Sequence, residues 1–368
     1  MRRGEETMVP EAEFRSYYGQ PVIKSPVWHE PHMPLYLYLG GTSGAASMIS
    51  AVATLAGRDR LALTARVTAA VGATAGAGFL VAELGRPERF LNMLRVFKPT
   101  SPMSVGSWLL AAHSGLTALA AVSAVAVPYG PGITGVPPAR IAASSAASFT
   151  ARVTGRASRI APVPYAKVAY VARVAKIAHV ARILPVAGDA AALAAMVTGP
   201  LMSTYTAVLV ADTAVPAWHE AHRELPFLFA GSALASAGAM AMLVTPRREA
   251  GPARAAAVLG AAVETAAGTV MEHRLGLVGE PYRLGRPGRL MRTARALTVG
   301  GALLATVAGR GRTLTALSGL ALTAGALCTR FGILAAGKAS AADPKYTVVP
   351  QRERLDAAAE SRTRERVT

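Results

Sequence analysis

Cysteine is nearly missing from this sequence. The 368 residues hold one, Cys328, which excludes a disulfide framework and a Cys-ligated zinc site. A self-contained iron–sulfur cluster needs about four ligands, mostly thiolates, so if the chain handles electrons, the metal centres sit in another subunit. Charge is also scarce: Asp, Glu, Lys and Arg make up 16% of the chain, against roughly 25% in soluble domains. The shortage is uneven. The stretch 35–56 contains no charged residue over 22 positions, and 103–127 contains none over 25. A helix of 22 residues is about 33 Å long, enough to cross a hydrocarbon core of about 30 Å. The first 33 residues are polar and Pro-rich with no leading apolar core, so no cleavable signal is expected.

Apolar residues supply 52% of the chain. They fall into eight candidate spans, 35–56, 61–83, 103–127, 187–211, 225–245, 253–271, 293–309 and 313–337, separated by clusters of Arg, Pro and Gly. The reading is an all-α integral membrane protein of about eight transmembrane helices. Its organisation is a polar N-terminal segment (1–33), helices one to three (34–127), a basic insert (128–186), helices four to eight (187–337) and a charged tail (338–368) expected to be disordered. Small residues permit close helix approach, and Gly40–Gly44 and Gly72–Gly76 have the GxxxG spacing. In the insert, 165–184 gathers Arg173, Lys176, His179 and Arg182 within about half of a helical wheel. That suits an amphipathic helix on an anionic leaflet; a flexible basic linker is the alternative.

The net charge of +18 does not point to nucleic acid, because the Arg residues sit between apolar stretches and in the tail, where they meet lipid headgroups. With eight spans both termini lie on one side. Arg58, Arg60, the insert, Arg247, Arg248, Arg310 and Arg312 fall opposite them, and Arg86, Arg89, Arg95, Lys98, Arg223 and several Arg between 274 and 292 fall on the terminal side, so that the insert tips the count. The balance places the termini on the non-cytoplasmic side of a plasma membrane.

Ionisable groups at membrane depth are costly and call for a role. Of seven histidines, only His113 lies well inside a span, so a bis-histidine haem pair is not supplied; a helix–helix hydrogen bond suits a lone His113 better than metal ligation. Glu264 sits mid-span and is the leading candidate for proton relay, with a salt bridge to Arg330 as the structural alternative; Asp212 and His113 are further relay candidates. At the start of the first span, Trp28-His29-Glu30-Pro31-His32-Met33-Pro34-Leu35-Tyr36-Leu37-Tyr38 gathers two histidines, a carboxylate and aromatics. His or Tyr donors at headgroup depth suit the two carbonyls of a quinone; an aromatic belt with interfacial histidines accounts for the run equally well. Tyr205, within Ser203-Thr204-Tyr205-Thr206, donates either to a buried ligand or to a facing backbone carbonyl.

Several blocks resemble the NrfD/PsrC family, the membrane subunits of polysulfide-reductase-type complexes. They are LYLYLGGTSG at 35–44, ELGRPERF at 83–90, KPTSPMSVGSW at 98–108, Tyr205-Thr206, Pro216-Ala217-Trp218, Leu225-Pro226, Glu280-Pro281-Tyr282, Arg330-Phe331 and Ala341-Ala342-Asp343-Pro344. The resemblance implies eight helices in two four-helix bundles and no haem. It also implies a quinone site near one membrane surface, menaquinone or ubiquinone. An iron–sulfur subunit would dock there and connect to a molybdopterin oxidoreductase subunit. The implied quinone positions fall on His32, with His29, Glu30 and Tyr36 beside it, and on Tyr205; the implied docking surface holds Glu83, Arg86, Arg89, Ser101 and Ser104. Where the family usually has Asp before LGRP, this chain has Glu83, which keeps the carboxylate. The basic insert is not a hallmark of the family. Two rival readings are a polytopic transporter, which predicts a polar midplane cavity with broken helices and an internal repeat, of which no clear one is visible, and a purely structural anchor, which predicts an empty, tightly packed interface around His32.

Overall fold

The computed structural model describes residues 21–129 and 165–367, and among these there is no strand. The long helices are α1 (His32–Leu55), α2 (Asp59–Glu83), α3 (Pro102–Tyr129), α4 (Tyr165–Ala211), α5 (Leu225–Val244), α6 (Gly251–Arg274), α7 (Gly285–Val307), α8 (Arg312–Ala342) and α9 (Lys345–Val367). Short 3-10 segments, Pro87–Leu94 and Gly276–Tyr282, and a one-turn helix, Pro216–His219, lie between them.

Among the described residues six helices are long and apolar enough to cross a membrane: α2, α3, α4 from Ile183, α5, α6 and α8. The protein is a multi-pass membrane protein. Helix α1 is uncharged from Leu35 onward, but Gly, Ser, Thr and Tyr occupy much of it and lower its hydropathy; it is buried against α2, α4 and α5. Helix α7 begins at Gly285, eight residues ahead of the expected 293, because the arginine-rich stretch from Arg286 to Arg295 is helical too. Its arginines find carboxylates at the helix end: Arg286 pairs with Glu30 and Arg295 with Glu272, each at 2.6 Å.

Short connections at 56–58, 245–250 and 308–311 make α1–α2, α5–α6 and α7–α8 antiparallel hairpins. Helices α3 and α4 are antiparallel as well. Gly106 near the start of α3 lies on Tyr205 near the end of α4, while Ser123 Oγ, late in α3, donates to the Leu184 carbonyl at 2.8 Å. The start of α1, the loops 84–101, 212–224 and 275–284, and α9 therefore share one end of the bundle.

Packing rests on small side chains. A Cβ on Gly44 would collide with the Gly199 carbonyl and with Ser203, so α1 and α4 meet backbone to backbone. The core between α1, α2, α5 and α6 is largely alanine, including Ala45, Ala65, Ala235 and Ala257. In lipid this is the expected solution. Hydrocarbon tails are as apolar as leucine, so close van der Waals contact is what holds helices together.

The tail expected to be disordered is helical. Helix α8 continues to Ala342, and α9 follows after Asp343 and Pro344. Ala, Arg, Glu and Gln are strong helix formers, and the helix is tied down at its start: Lys345 Nζ lies 2.6 Å from Glu280 and Tyr346 donates to the same carboxylate at 2.9 Å. Of the insert, 130–164 falls outside the described residues. From Tyr165 the backbone belongs to α4, but the side chains of Arg173, Lys176, His179 and Arg182, on which the amphipathic reading depends, fall outside them.

Candidate functional site

The two histidines at the start of α1 converge on the last residue of α2. The His29 backbone N–H donates to Glu83 Oε1 at 2.7 Å, and its ring Nδ1 lies 3.2 Å from the same oxygen. His32 Nδ1 stands 3.7 Å from Glu83 Oε2, within ion-pair range but too far to hydrogen-bond. That leaves Oε2 buried with no hydrogen-bond partner among the described residues. A buried, unpaired carboxylate oxygen is expensive, and it lies beside an imidazole whose side chain is 40% exposed. The tether orients the His29 ring and leaves polar capacity open at this end of the bundle. Glu30 turns the other way, to Arg286 of α7.

One turn deeper, the hydroxyls of Tyr36 and Tyr205 touch each other. Tyr36 is buried, and Tyr205 packs against the same apolar cluster together with Phe79, Leu80, Leu109 and Leu209. The Tyr205 ring lies on the α3 backbone at Gly106, where a Cβ would fall 2.7 Å from Cε2. His32 and Phe79 have ring centroids 6.3 Å apart. The five residues His29, His32, Glu83, Tyr36 and Tyr205 thus form one polar patch at the mouths of α1, α2 and α4, with an apolar and aromatic wall beside it. This is the mix that a ligand with a polar head and a greasy body requires. Trp28 stacks on Trp218 at 5.1 Å, and Trp218 Nε1 donates to the Ile333 carbonyl at 2.8 Å, which pins the segment ahead of α1 to α8.

Arg86 and Arg89 are exposed on the 84–101 loop. Ser101 and Ser104 organise the way into α3: Ser104 N–H donates to Ser101 Oγ at 3.4 Å, and Ser104 Oγ accepts from Lys98 N–H at 3.0 Å and donates to the Val96 carbonyl at 3.1 Å. Ser101 is the N-cap of α3, and Ser104, in the first turn, ties the loop to the helix. Glu83 points back to the histidines instead of out with the loop.

The other polar groups lie apart from the patch. His113 is fully buried, 3.1 Å from Ser43 Oγ and 2.8 Å from Thr198 Oγ1, joining α1, α3 and α4. Asp212 is exposed at the end of α4. Glu264 accepts from Thr329 at 2.6 Å and Thr298 at 3.4 Å. The salt bridge to Arg330, the structural alternative for Glu264, does not form. Arg330, 1% exposed, lays its guanidinium over the Phe229 ring at 3.7 Å and donates to the Phe229 carbonyl at 3.0 Å. Sequence reasoning passed over Arg66 of α2, which pairs with Asp189 of α4 at 2.6 Å; a basic residue mid-span and an acidic residue two helices later were the available signal. Among the described residues no group of three or more His, Cys, Asp or Glu side chains is placed to hold a metal.

The fold and the patch define a class, a polytopic helical membrane protein with a polar cluster at one interface. A family model described as polysulphide reductase, NrfD, matches residues 20–271, more than half of the chain, and the chain belongs to that family. Members are membrane subunits of redox complexes. The match contains the histidine–glutamate patch, Tyr36, Tyr205 and the 84–101 loop; Arg330 and α7 to α9 lie beyond it. No curated protein matches the chain.

Proposed function

We propose that the chain is the quinone-binding membrane anchor of a multi-subunit oxidoreductase, with all eight helices α1–α8 crossing the bilayer as two four-helix bundles. The observation that carries this reading is the convergence of His29 and His32 on Glu83 at one end of the bundle, one helical turn from the Tyr36–Tyr205 pair, within the residues matched to the family.

A bound quinone, menaquinone or ubiquinone, supplies the redox chemistry, exchanging two electrons and two protons with its surroundings. The chain's residues bind and orient it. His32 donates to one carbonyl oxygen and exchanges a proton with the interface. Glu83 holds the His29 and His32 rings in place. Tyr205 orients the ring, and Phe79, Leu80 and Leu109 cover its faces. His113 and Glu264 are the candidates for moving protons at depth; Asp212, exposed at the end of α4, is the candidate for exchanging them with water. Electrons leave to, or arrive from, an iron–sulfur subunit docked on the end that bears loop 84–101, and that subunit connects to a molybdopterin catalytic subunit. On this reading the chain itself carries neither haem nor cluster. The complex sits in the plasma membrane with both termini on the non-cytoplasmic side.

The test is quinol-dependent turnover of the purified complex with wild-type and His32→Ala chains. The expected result is a KM for quinol raised about tenfold or more, the worth of one charge-assisted hydrogen bond. Unchanged turnover and unchanged quinol affinity remove His32 from the site.

A further inference from the structure

At the end of the bundle opposite the histidine patch, a cavity opens between the C-terminus of α5 and the N-terminus of α8. Met242, Leu243, Thr245, Arg247, Arg312 and Thr315 are among the residues lining it. Arg247 and Arg312 are exposed. A third guanidinium, that of Arg254, donates to the Arg247 carbonyl at 3.3 Å. The nearby acid is already engaged, Glu249 Oε2 accepting from the Arg60 backbone N–H at 3.1 Å.

Three features of this cavity suit an anion. Helix α8 is 31 residues long and starts at Arg312, so its first turn presents free backbone N–H groups and the positive end of the helix dipole. The two arginines supply fork donors that match phosphate oxygens. Thr245 is 4% exposed, and its Oγ1 has no hydrogen-bond partner among the described residues. Thr315, by contrast, is satisfied internally by the carbonyls of Ala308 and Gly311. The surroundings show what carries the anion. Val244 at the cavity, and Leu317 and Leu320 on the first turns of α8, are exposed apolar side chains on helices long and apolar enough to cross a membrane. An anionic head with an acyl body fits both halves.

We propose that this cavity binds the phosphate of an anionic phospholipid, with the arginines and the α8 N-terminus on the head and Val244, Leu317 and Leu320 along an acyl chain. The site is remote from the quinone patch and independent of it. Free inorganic phosphate shares the head chemistry but has nothing to place on the apolar residues.

The full-length chain is stripped of lipid in detergent and titrated with phosphatidylglycerol, phosphatidylcholine and inorganic phosphate, with bound lipid counted by native mass spectrometry. The expected result is retention of phosphatidylglycerol over phosphatidylcholine. Affinity for phosphatidylglycerol should fall about thirtyfold in Arg247→Gln/Arg312→Gln, taking about 1 kcal/mol per basic residue at the surface. Thr245→Val tests the buried hydroxyl by a change small enough to leave folding intact, and should weaken phosphatidylglycerol binding at an unchanged thermal midpoint. Arg286→Gln, at the other end of the bundle, should leave binding as in wild type. Equal retention of both lipids, or of phosphatidylglycerol by wild type and the double variant, overturns the proposal. So does displacement of the lipid by inorganic phosphate at equal concentration, which would assign the cavity to a soluble phosphate ligand.

Discussion

The hydroxyls of Tyr36 and Tyr205 meet across the α1–α4 interface, 169 residues apart in sequence. Each hydroxyl has one hydrogen to donate. In the pair one hydrogen is committed to the partner oxygen, and the other is left for whatever occupies the interface. The two residues therefore behave as one donor unit.

That unit predicts strong non-additivity. Tyr205→Phe breaks the pair and leaves the buried Tyr36 hydroxyl without its partner, so the KM for quinol should rise about tenfold, with about 1–3 kcal/mol of stability lost. Adding Tyr36→Phe removes the orphan and should restore part of the stability without further effect on KM. A double-mutant cycle on both quantities checks it. Additive losses would mean that the two hydroxyls act separately.

Gly106 sets where Tyr205 sits. Its Cα is in contact range of the tyrosine ring, and a Cβ there would fall 2.7 Å from Cε2. Gly106→Val should push the ring away from α3 and produce a KM defect like that of Tyr205→Phe. Gly115→Val, on the same helix where a Cβ meets nothing within 4 Å, should leave KM unchanged. Quinol titrations of the two variants decide the matter.

Much of this was legible beforehand because hydrophobic length is a one-dimensional signal. A stretch such as 103–127, without charge, can only be a span or a buried core helix, and it became α3. The histidines, Tyr36 and Tyr205 were visible as residue types out of place near a membrane surface. Their partners were not. Glu83, the end of the second span, was placed on the docking surface because sequence gives no register between helix ends; only the antiparallel packing of α1 on α2 brings it beneath His29 and His32. Arg330 was offered to Glu264 as the structural alternative to proton relay, because opposite charges at depth are expected to pair. A ring face and a carbonyl, both from Phe229, met part of the same need and left no trace in the pattern. The tail failed for a different reason. Charge was read as disorder, although its composition is that of a helix with a docking point at Glu280.

Arg330 makes a prediction about substitution. Its planar guanidinium stacks on Phe229 and reaches the carbonyl behind it, a geometry an ammonium cannot reproduce. Arg330→Lys keeps the charge but loses the stacking and the fork, at a cost of about 2 kcal/mol. Arg330→Met removes the buried charge and fills similar volume, which is often neutral or stabilising. The thermal midpoint in detergent should therefore be lower for the lysine variant than for the methionine one. Equal midpoints for wild type and Arg330→Lys would show that charge alone matters at this position.

The docking of α9 should depend on pH in two opposite ways. Lys345 and then Tyr346, hydrogen-bonded to Glu280, hold its carboxyl below the usual range, and Glu280 in turn holds the Lys345 ammonium above its usual value. A carboxylate with a lowered pKa contributes to docking above its undocked value, about 4.3, and loses that contribution as pH falls through the docked value. A lysine with a raised pKa contributes fully below about 10.4 and loses it as pH rises through the docked value. Both groups are solvent-facing, so the effect should appear in the order of the helix rather than in global unfolding. A spin label at Ser361→Cys, in a Cys328→Ser background, should be least mobile between about pH 5 and 9 and gain mobility on either side. Glu280→Gln should remove both limbs. A mobility profile that stays flat from acid to alkali in the wild-type chain would mean that α9 is held by packing on the bundle and not by this ion pair.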